Sequence, residues 1–144
     1  MSFSASVFRL CSRVFVAVYS RAPVLGALRS SIALIRRGDQ YLLQRRSDGL
    51  GWAFPGGTAY FWESPEQTLQ REIREETGLS IISFRELFQY RDATFVPSRV
   101  SVFEVEAAGE PRGSWEGEVA WMSIHPAPEP FFAAQQAVLR FLAS

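Results

Sequence analysis

Three glutamates, Glu72, Glu75 and Glu76, stand at i, i+3 and i+4 in the stretch that follows Ser64-Pro65. On an α-helix this spacing sets all three carboxylates on one face as near neighbours. Like charges so placed weaken a helix by a few tenths of a kcal/mol per pair. A cation among them reverses that sign. Hard oxygen ligands favour magnesium, with manganese as the alternative, and such ions keep waters and engage phosphate oxygens. Arg71 precedes Glu72 and can fix a carboxylate through its planar fork. Upstream lie Glu63 and the pair Gly56-Gly57, which permits a tight turn with backbone carbonyls free to approach a metal. For the acids alone, a solvated acidic helix face is the simpler account. That account leaves the glycine pair, Glu63, Arg71 and Gly78 as coincidences.

The helix that must carry these acids is well punctuated. Ser64 is suited to the N-cap, Pro65 to the first helical position, and Gln67 completes a capping box. Gly78 fits the left-handed position that closes the far end. Leu69 and Ile73, at i and i+4, supply the core-facing side. Around the helix the chain reads as mixed α and β. Ser31 to Arg36 and Gln40 to Arg46 are expected as strands joined by a Gly38-Asp39 turn. Trp52-Ala53-Phe54 is a short apolar segment. Ile81 to Tyr90, Arg99 to Ala107 and Val119 to Ser123 are expected as further strands. Pro126, Pro128 and Pro130 make a stiff connection to a closing helix over Phe131 to Leu142, with Phe131, Val138, Leu139 and Leu142 as its buried side.

The same residues resemble the Nudix box: a glycine, five residues, a glutamate, seven residues, then Arg-Glu-apolar-any-Glu-Glu-any-Gly-apolar. Gly57 is followed by five residues and then Glu63. Seven more lead to Arg71-Glu72-Ile73-Arg74-Glu75-Glu76-Thr77-Gly78-Leu79, so every defined position matches over 23 residues. The flanking Tyr41-Leu42-Leu43-Gln44-Arg45-Arg46 and Trp52-Ala53-Phe54-Pro55 are similar to the strands that lead into such a box, and the resemblance covers roughly residues 30 to 125. It implies an α/β (α+β) fold, the Nudix α/β/α sandwich around a mixed sheet. It implies a metal-dependent pyrophosphohydrolase that cleaves the diphosphate linkage of a nucleoside diphosphate joined to another group, with Mg2+ (or Mn2+) as cofactor. Gly56 would offer its carbonyl to the metal, Glu75 and Glu76 would be main ligands, and Glu72 a further ligand or the base. Glu63 and Arg71 would stabilise the loop and orient the acids. A glutamate beyond the box often joins such a site, and Glu116 and Glu118 are the candidates.

The sequence departs from common members just before Glu63, where many have glycine and this chain has Trp62, after Tyr60 and Phe61. Covering the core beneath the loop is the simpler role for three aromatics in a row. Stacking on a base or sugar is the other. Substrate is read by residues outside the box, and Arg91, Phe95, Arg99, Trp115 and Trp121 are candidates beside Trp62, each also explained by surface or core. No marker selects coenzyme A, NADH or ADP-ribose. A nucleotide-binding Nudix-like sensor without hydrolysis is the alternative function, although an intact box argues against it. RNA 5′-end processing is a further one.

Composition narrows the partners. The formal net charge is zero, but Met1 to Gly38 carries six arginines and no acid, while Asp39 to Ser144 carries nine arginines against all fifteen acids. The body is acidic, which suits a metal and a small nucleotide-type substrate better than duplex nucleic acid or an RNA channel. Cys11 is the only cysteine, so neither an internal disulfide nor a thiolate zinc site can form. His125, the only histidine, reads as structural or solvent-exposed. The run Val14 to Tyr19 is too short to span a membrane. A cytoplasmic protein is expected, and a homodimer is compatible. Residues 1–29 read as an Arg- and Ser-rich extension before a domain over 30–144. Their composition resembles an organellar transit peptide, with an extra strand, a loose tail or an upstream start as plainer accounts.

Overall fold

The computed structural model describes residues 27–144 and, further upstream, only Val7, Leu10, Cys11, Arg13 and Val14. Most of the N-terminal extension and of the Val14 to Tyr19 run therefore lies outside the described residues. Among those described, no helix is long and apolar enough to cross a membrane.

Strand β1 (Leu28–Arg37) turns at Gly38, where φ is +63°, into β2 (Gln40–Arg46). Then come β3 (Trp52–Ala53), β4 (Gly56–Thr58), helix α1 (Pro65–Thr77), β5 (Ser80–Asp92), β6 (Ser98–Ala108) and β7 (Gly117–Met122). A 3-10 turn over Ala133–Gln135 leads into α2 (Gln136–Ala143). The seven strands form one mixed sheet with two limbs. In the first, β1 runs parallel to β6 from Leu28↔Ser98 to Ile35↔Val105, with β4 antiparallel on its other edge and β5 antiparallel beyond β6. In the second, β2 lies between β3 and β7, all antiparallel.

Layering follows from the run Ile32-Ala33-Leu34-Ile35, which is apolar without alternation because both faces of β1 are covered. Ile32 and Leu34 join Leu43, Phe54, Val100, Val102, Phe131 and Val138 on the α2 side. Ala33 and Ile35 join Leu42, Phe103 and Val105 beneath Leu69 and Ile73 of α1. This is the expected α/β/α sandwich.

Beyond shifts of one or two residues at the ends of β5, β6 and β7, three features differ from the sequence reading. β1 begins at Leu28, before Ser31, because Leu28, Arg29 and Ser30 are held by pairing with β6 rather than by an apolar pattern. Gly56-Gly57 is a short strand rather than a turn. Its second edge lies so close to β1 that a Cβ at Gly56 would come within 2.1 Å of the Ser31 carbonyl oxygen. The closing helix is regular only from Gln136, since Phe131 bridges to Trp52 and the Phe132 amide donates to the Trp52 carbonyl at 2.7 Å. Val138 is fully buried and Leu139 and Leu142 partly so.

Candidate active site

Helix α1 starts as its sequence dictates. The Ser64 hydroxyl accepts from the Gln67 amide and the Gln67 side chain accepts from the Ser64 amide, while Gly78 closes the helix at φ +71°. So fixed, the helix offers two acidic surfaces. On the first, Arg71 donates through Nε and Nη2 to both oxygens of Glu63, at 2.7 and 2.8 Å. The same arginine donates to Glu72 at 2.9 Å and to the Thr58 carbonyl at 3.1 Å, and lies 4.0 Å above the Tyr60 ring. Glu63 also accepts from the Tyr60 amide. These hydrogen bonds, chiefly those from Arg71, hold the Glu63 carboxyl at a pKa of about 2.

On the second surface the described residues supply no matched cation beyond the single Arg71 hydrogen bond to Glu72. Glu72, Glu76 and Glu116 bring carboxylate oxygens within 4.8 Å of one another. Glu76 is buried and accepts from the Gly56 amide at 3.0 Å. Glu72 packs against Gly57 so tightly that a Cβ there would fall 2.4 Å from its carboxyl carbon. Burial pushes the Glu72 carboxyl up to about 7. Arg71 opposes that shift, and the charges of Glu116 and Glu75 add to it. Glu76 is raised well above the ordinary range by burial and by the neighbouring Glu116 and Glu72. Three convergent carboxylates in a low-dielectric recess, two of them driven toward protonation, form an all-oxygen donor set that a hard divalent ion fits.

The remaining candidates fall in different places. Glu75 is 53% exposed at the rim, 3.4 Å from Arg71 and apart from the close trio. Of the two acids outside the box, Glu116 joins the trio, while Glu118 points outward from β7 opposite Arg45. Arg91 and Arg99 face one another across β5 and β6, both exposed, and border none of the hollows described below. Trp121 lies beneath Arg37. His125 is exposed. The three loop aromatics do not cover the core: Phe61 is 88% and Trp62 66% exposed, with Tyr60 close behind. Arg29 explains that posture, since it donates to the carbonyls of Tyr60, Phe61 and Glu63 and holds the loop outward.

Two hollows are lined by the acids, and a third adjoins one of them. A cleft of about 440 Å³ lies over Glu72, Glu76 and Glu116, bordered by Gln44, Arg46, Gly56, Gly57 and Thr58. A pocket of about 230 Å³ shares those five residues and continues between Ile32, Val100, Phe95, Phe132 and Gln135. There Arg46, paired with Asp48, lies over the Phe132 ring, itself stacked on Phe95. A third hollow, about 400 Å³, shares Glu72 and Glu116 and runs between Tyr60 and Trp115. Sequence reasoning missed Arg29 and Gln44. Gln44 left a signal, a polar residue directly after the apolar Tyr41-Leu42-Leu43. It is buried, and its side-chain nitrogen has no hydrogen-bond partner among the described residues. Arg29 left none, since its partners are backbone carbonyls more than thirty residues away.

Fold and acid cluster together match the Nudix class of hydrolases, which cleave diphosphate linkages. The chain belongs to the NUDIX family, whose domain model matches residues 27–142. It is similar to an 8-oxo-dGTP diphosphatase of Haemophilus influenzae, at 35% identity over 60% of this chain and 68% of that protein. It is also similar to an RNA pyrophosphohydrolase of Acinetobacter baylyi, at 43% identity over 35% of this chain and 32% of that one, so this match spans about a third of the relative's length. The crystal structure of a MutT NUDIX hydrolase from Burkholderia pseudomallei matches with a TM-score of 0.71 at 25% identity, covering 79% of this chain and 96% of that chain.

Proposed function

We propose that this chain is a magnesium-dependent pyrophosphohydrolase acting on a nucleoside diphosphate derivative, with manganese as an alternative ion. The observation that carries the reading is the convergence of Glu72, Glu76 and Glu116 on one point beside a pocket of nucleoside size. These three would hold the ion, with the Gly56 carbonyl as a further ligand, while Glu75 stands at the rim apart from them. When bound, the ion supplies Lewis acidity at the diphosphate oxygens and compensates the crowded acids.

The chain's own residues do the rest. Glu63 locks Arg71, and Arg71 holds Glu72 in one orientation. Glu75, on the open rim, is placed to accept the proton of the attacking water as the phosphoanhydride bond breaks in line. The nucleoside lies between Phe95, Phe132 and Gln135. Gln44, at the throat shared by pocket and cleft, donates its unused N–H groups to the nucleoside-side phosphate. Trp62, Arg91 and Arg99 take no part in that pocket.

The test is release of phosphate or nucleoside monophosphate from a panel, with and without magnesium, by wild type, Glu75→Gln and Glu76→Gln. The panel includes dGTP, 8-oxo-dGTP, 5′-triphosphorylated RNA and nucleotide sugars. Magnesium-dependent release lost in both variants is expected. An inert wild type that still binds nucleotides would put the non-hydrolytic sensor in its place.

A further inference from the structure

Arg29 of β1 lies opposite Arg99 of β6, and Arg99 lies opposite Arg91 of β5, so three arginines stand abreast on three adjacent strands. Neighbouring strands are about 4.8 Å apart, which makes the row about 10 Å wide at the backbone. Its side chains share one face of the sheet. Ser30, Ser98 and Asp92, next to them in the chain, line the pocket of Phe95 and Phe132 on the other face. Like charges set opposite one another across strands destabilise a sheet. Arg29 is engaged by the carbonyls of Tyr60, Phe61 and Glu63. Arg91 and Arg99 are exposed and have no hydrogen bond or ion pair among the described residues. Asp92, the acid nearest in sequence, is turned to the pocket and accepts from Thr94.

At its β1 end the row meets an aromatic knob. The loop that Arg29 holds carries Phe61 and Trp62, the two most exposed large apolar side chains among the described residues. Grouped exposed apolar residues mark contact with a protein or a membrane. Bases would need open ring faces to stack on, and this knob is closed on itself. Tyr60 lies between the Arg71 guanidinium, 4.0 Å from its ring, and the Trp62 ring at 4.9 Å, and Phe61 meets Trp62 nearly at right angles at 5.0 Å. The anchors of a protein partner fill pockets, and Phe61, Trp62, Arg91 and Arg99 border none of the hollows described above. A lipid surface needs no pocket. It needs apolar side chains that can enter the headgroup region and cations beside them that meet phosphate. The chain also enters the sheet at this end, at Leu28, and residues 1–27 before it hold three arginines and no acid.

We infer that this strip docks the protein on an anionic phospholipid surface. Phe61 and Trp62 enter the headgroup region, and Arg91 and Arg99 pair with lipid phosphates through their planar forks. The inference is independent of the hydrolase reading, because none of these four residues belongs to the acid cluster or the nucleoside pocket.

The test is sedimentation of the full chain, in EDTA, with vesicles of phosphatidylcholine alone or of phosphatidylcholine and phosphatidylglycerol in equal parts. Binding is expected to the anionic vesicles only, and it should weaken as salt rises. An arginine near an anionic surface contributes about fivefold to partition, so Arg91→Gln combined with Arg99→Gln should weaken binding about 25-fold. Phe61→Ser should weaken it about tenfold, as loss of one buried aromatic side chain implies. Brominated acyl chains should quench part of the tryptophan fluorescence, and Trp62→Phe should remove that part. Hydrolysis of soluble nucleotides should be unchanged in all these variants. The Tm of the double arginine variant should be no lower than that of wild type, since opposed like charges are removed. Absence of binding to anionic vesicles, equal binding to neutral ones, or binding that survives the arginine and Phe61 substitutions overturns the inference. If a single-stranded oligonucleotide binds through the same arginines while vesicles do not, the strip belongs to nucleic acid and the inference fails.

Discussion

Glu63 and Glu72 both touch Arg71, yet they are held in opposite states. Glu63 shares two hydrogen bonds with the guanidinium and a third with the Tyr60 amide, and its carboxyl stays ionised down to a pH of about 2. Glu72 receives one bond from the same arginine but lies buried beside Glu76 and Glu116, and its carboxyl rises to about 7. One acidic surface of helix α1 is complete as folded. The other, on the proposed reading, is completed by a divalent ion. Scaffold and chemistry are thus separated across one guanidinium, and each surface is expected to answer differently to the same kind of substitution.

The sharpest contrast is in charge removal. Glu76→Gln keeps the side chain's shape and deletes a buried charge. It should abolish activity by more than the roughly 10- to 100-fold that losing an outer partner of a metal ligand costs. Thermal unfolding in EDTA should show the variant no less stable than wild type, since the metal-free Glu76 carboxyl already tends to its neutral form and a glutamine oxygen can still accept from the Gly56 amide. Glu63→Gln should do the reverse in kind. Breaking an enclosed ion pair costs about 3–5 kcal/mol, and this one, at the edge of a cleft and partly screened, should cost about 2–3 kcal/mol. Activity should fall only about 10- to 100-fold, as expected for a residue that orients another. Equal destabilisation by both changes would erase the distinction.

Much of the scaffold was legible in the sequence because it is local. Ser64, Pro65, Gln67 and Gly78 act on residues within a turn of themselves, and the capping box and left-handed closure appear where they were expected. The strands that line the helix were legible from their apolar runs. What escaped depends on distant pairing: β4, whose glycines lie against β1, Arg29, which reaches carbonyls beyond residue 59, and Phe131, drawn out of the closing helix by Trp52. The site was legible in the same proportion. The spacing of Glu72, Glu75 and Glu76 shows they share a helix. Only the position of β7 relative to β2 shows that Glu116 reaches the cluster and Glu118 does not, or that Glu75 stands at the rim.

Proton linkage tests the contrast next. Glu72 has a folded-state pKa above its unfolded value near 4.5, so the metal-free protein holds a proton that the unfolded chain gives up. That contribution to stability is present below about pH 4.5 and is lost as pH rises toward 7. Glu63 has a depressed pKa, so its contribution is present above about 4.5 and is lost as pH falls toward 2. If magnesium is held at Glu72 as proposed, it displaces the Glu72 proton, so the gain in Tm on adding it should be larger at pH 8 than at pH 5.5, with protons released on binding at the lower pH. A magnesium-induced shift independent of pH would remove Glu72 from the ion's site.

Two buried glutamines repeat the comparison on a smaller scale. Gln135 accepts from the Phe54 amide at 2.8 Å and donates to the Phe54 carbonyl at 3.3 Å, so its amide is used by the fold. Gln44, 5% exposed, has a side-chain nitrogen with no partner among the described residues. A buried donor left unmade costs about 1–3 kcal/mol, and a fold that keeps one at the junction of two substrate hollows gains nothing from it until an acceptor arrives. Gln44→Leu should therefore raise the Tm of the ligand-free protein by a few degrees, at about 3–5 °C per kcal/mol for a domain of this size. It should also raise KM about tenfold, as loss of one hydrogen bond to a charged phosphate implies. Gln135→Leu should lower Tm, because it strands two backbone groups of Phe54. If Gln44→Leu instead destabilises and leaves KM alone, its amide has a structural partner and belongs with Gln135 and Glu63 on the finished side of the molecule. If both halves hold, stability has been given up at this one position for binding, which is the pattern of a site whose last partners are the substrate and its ion.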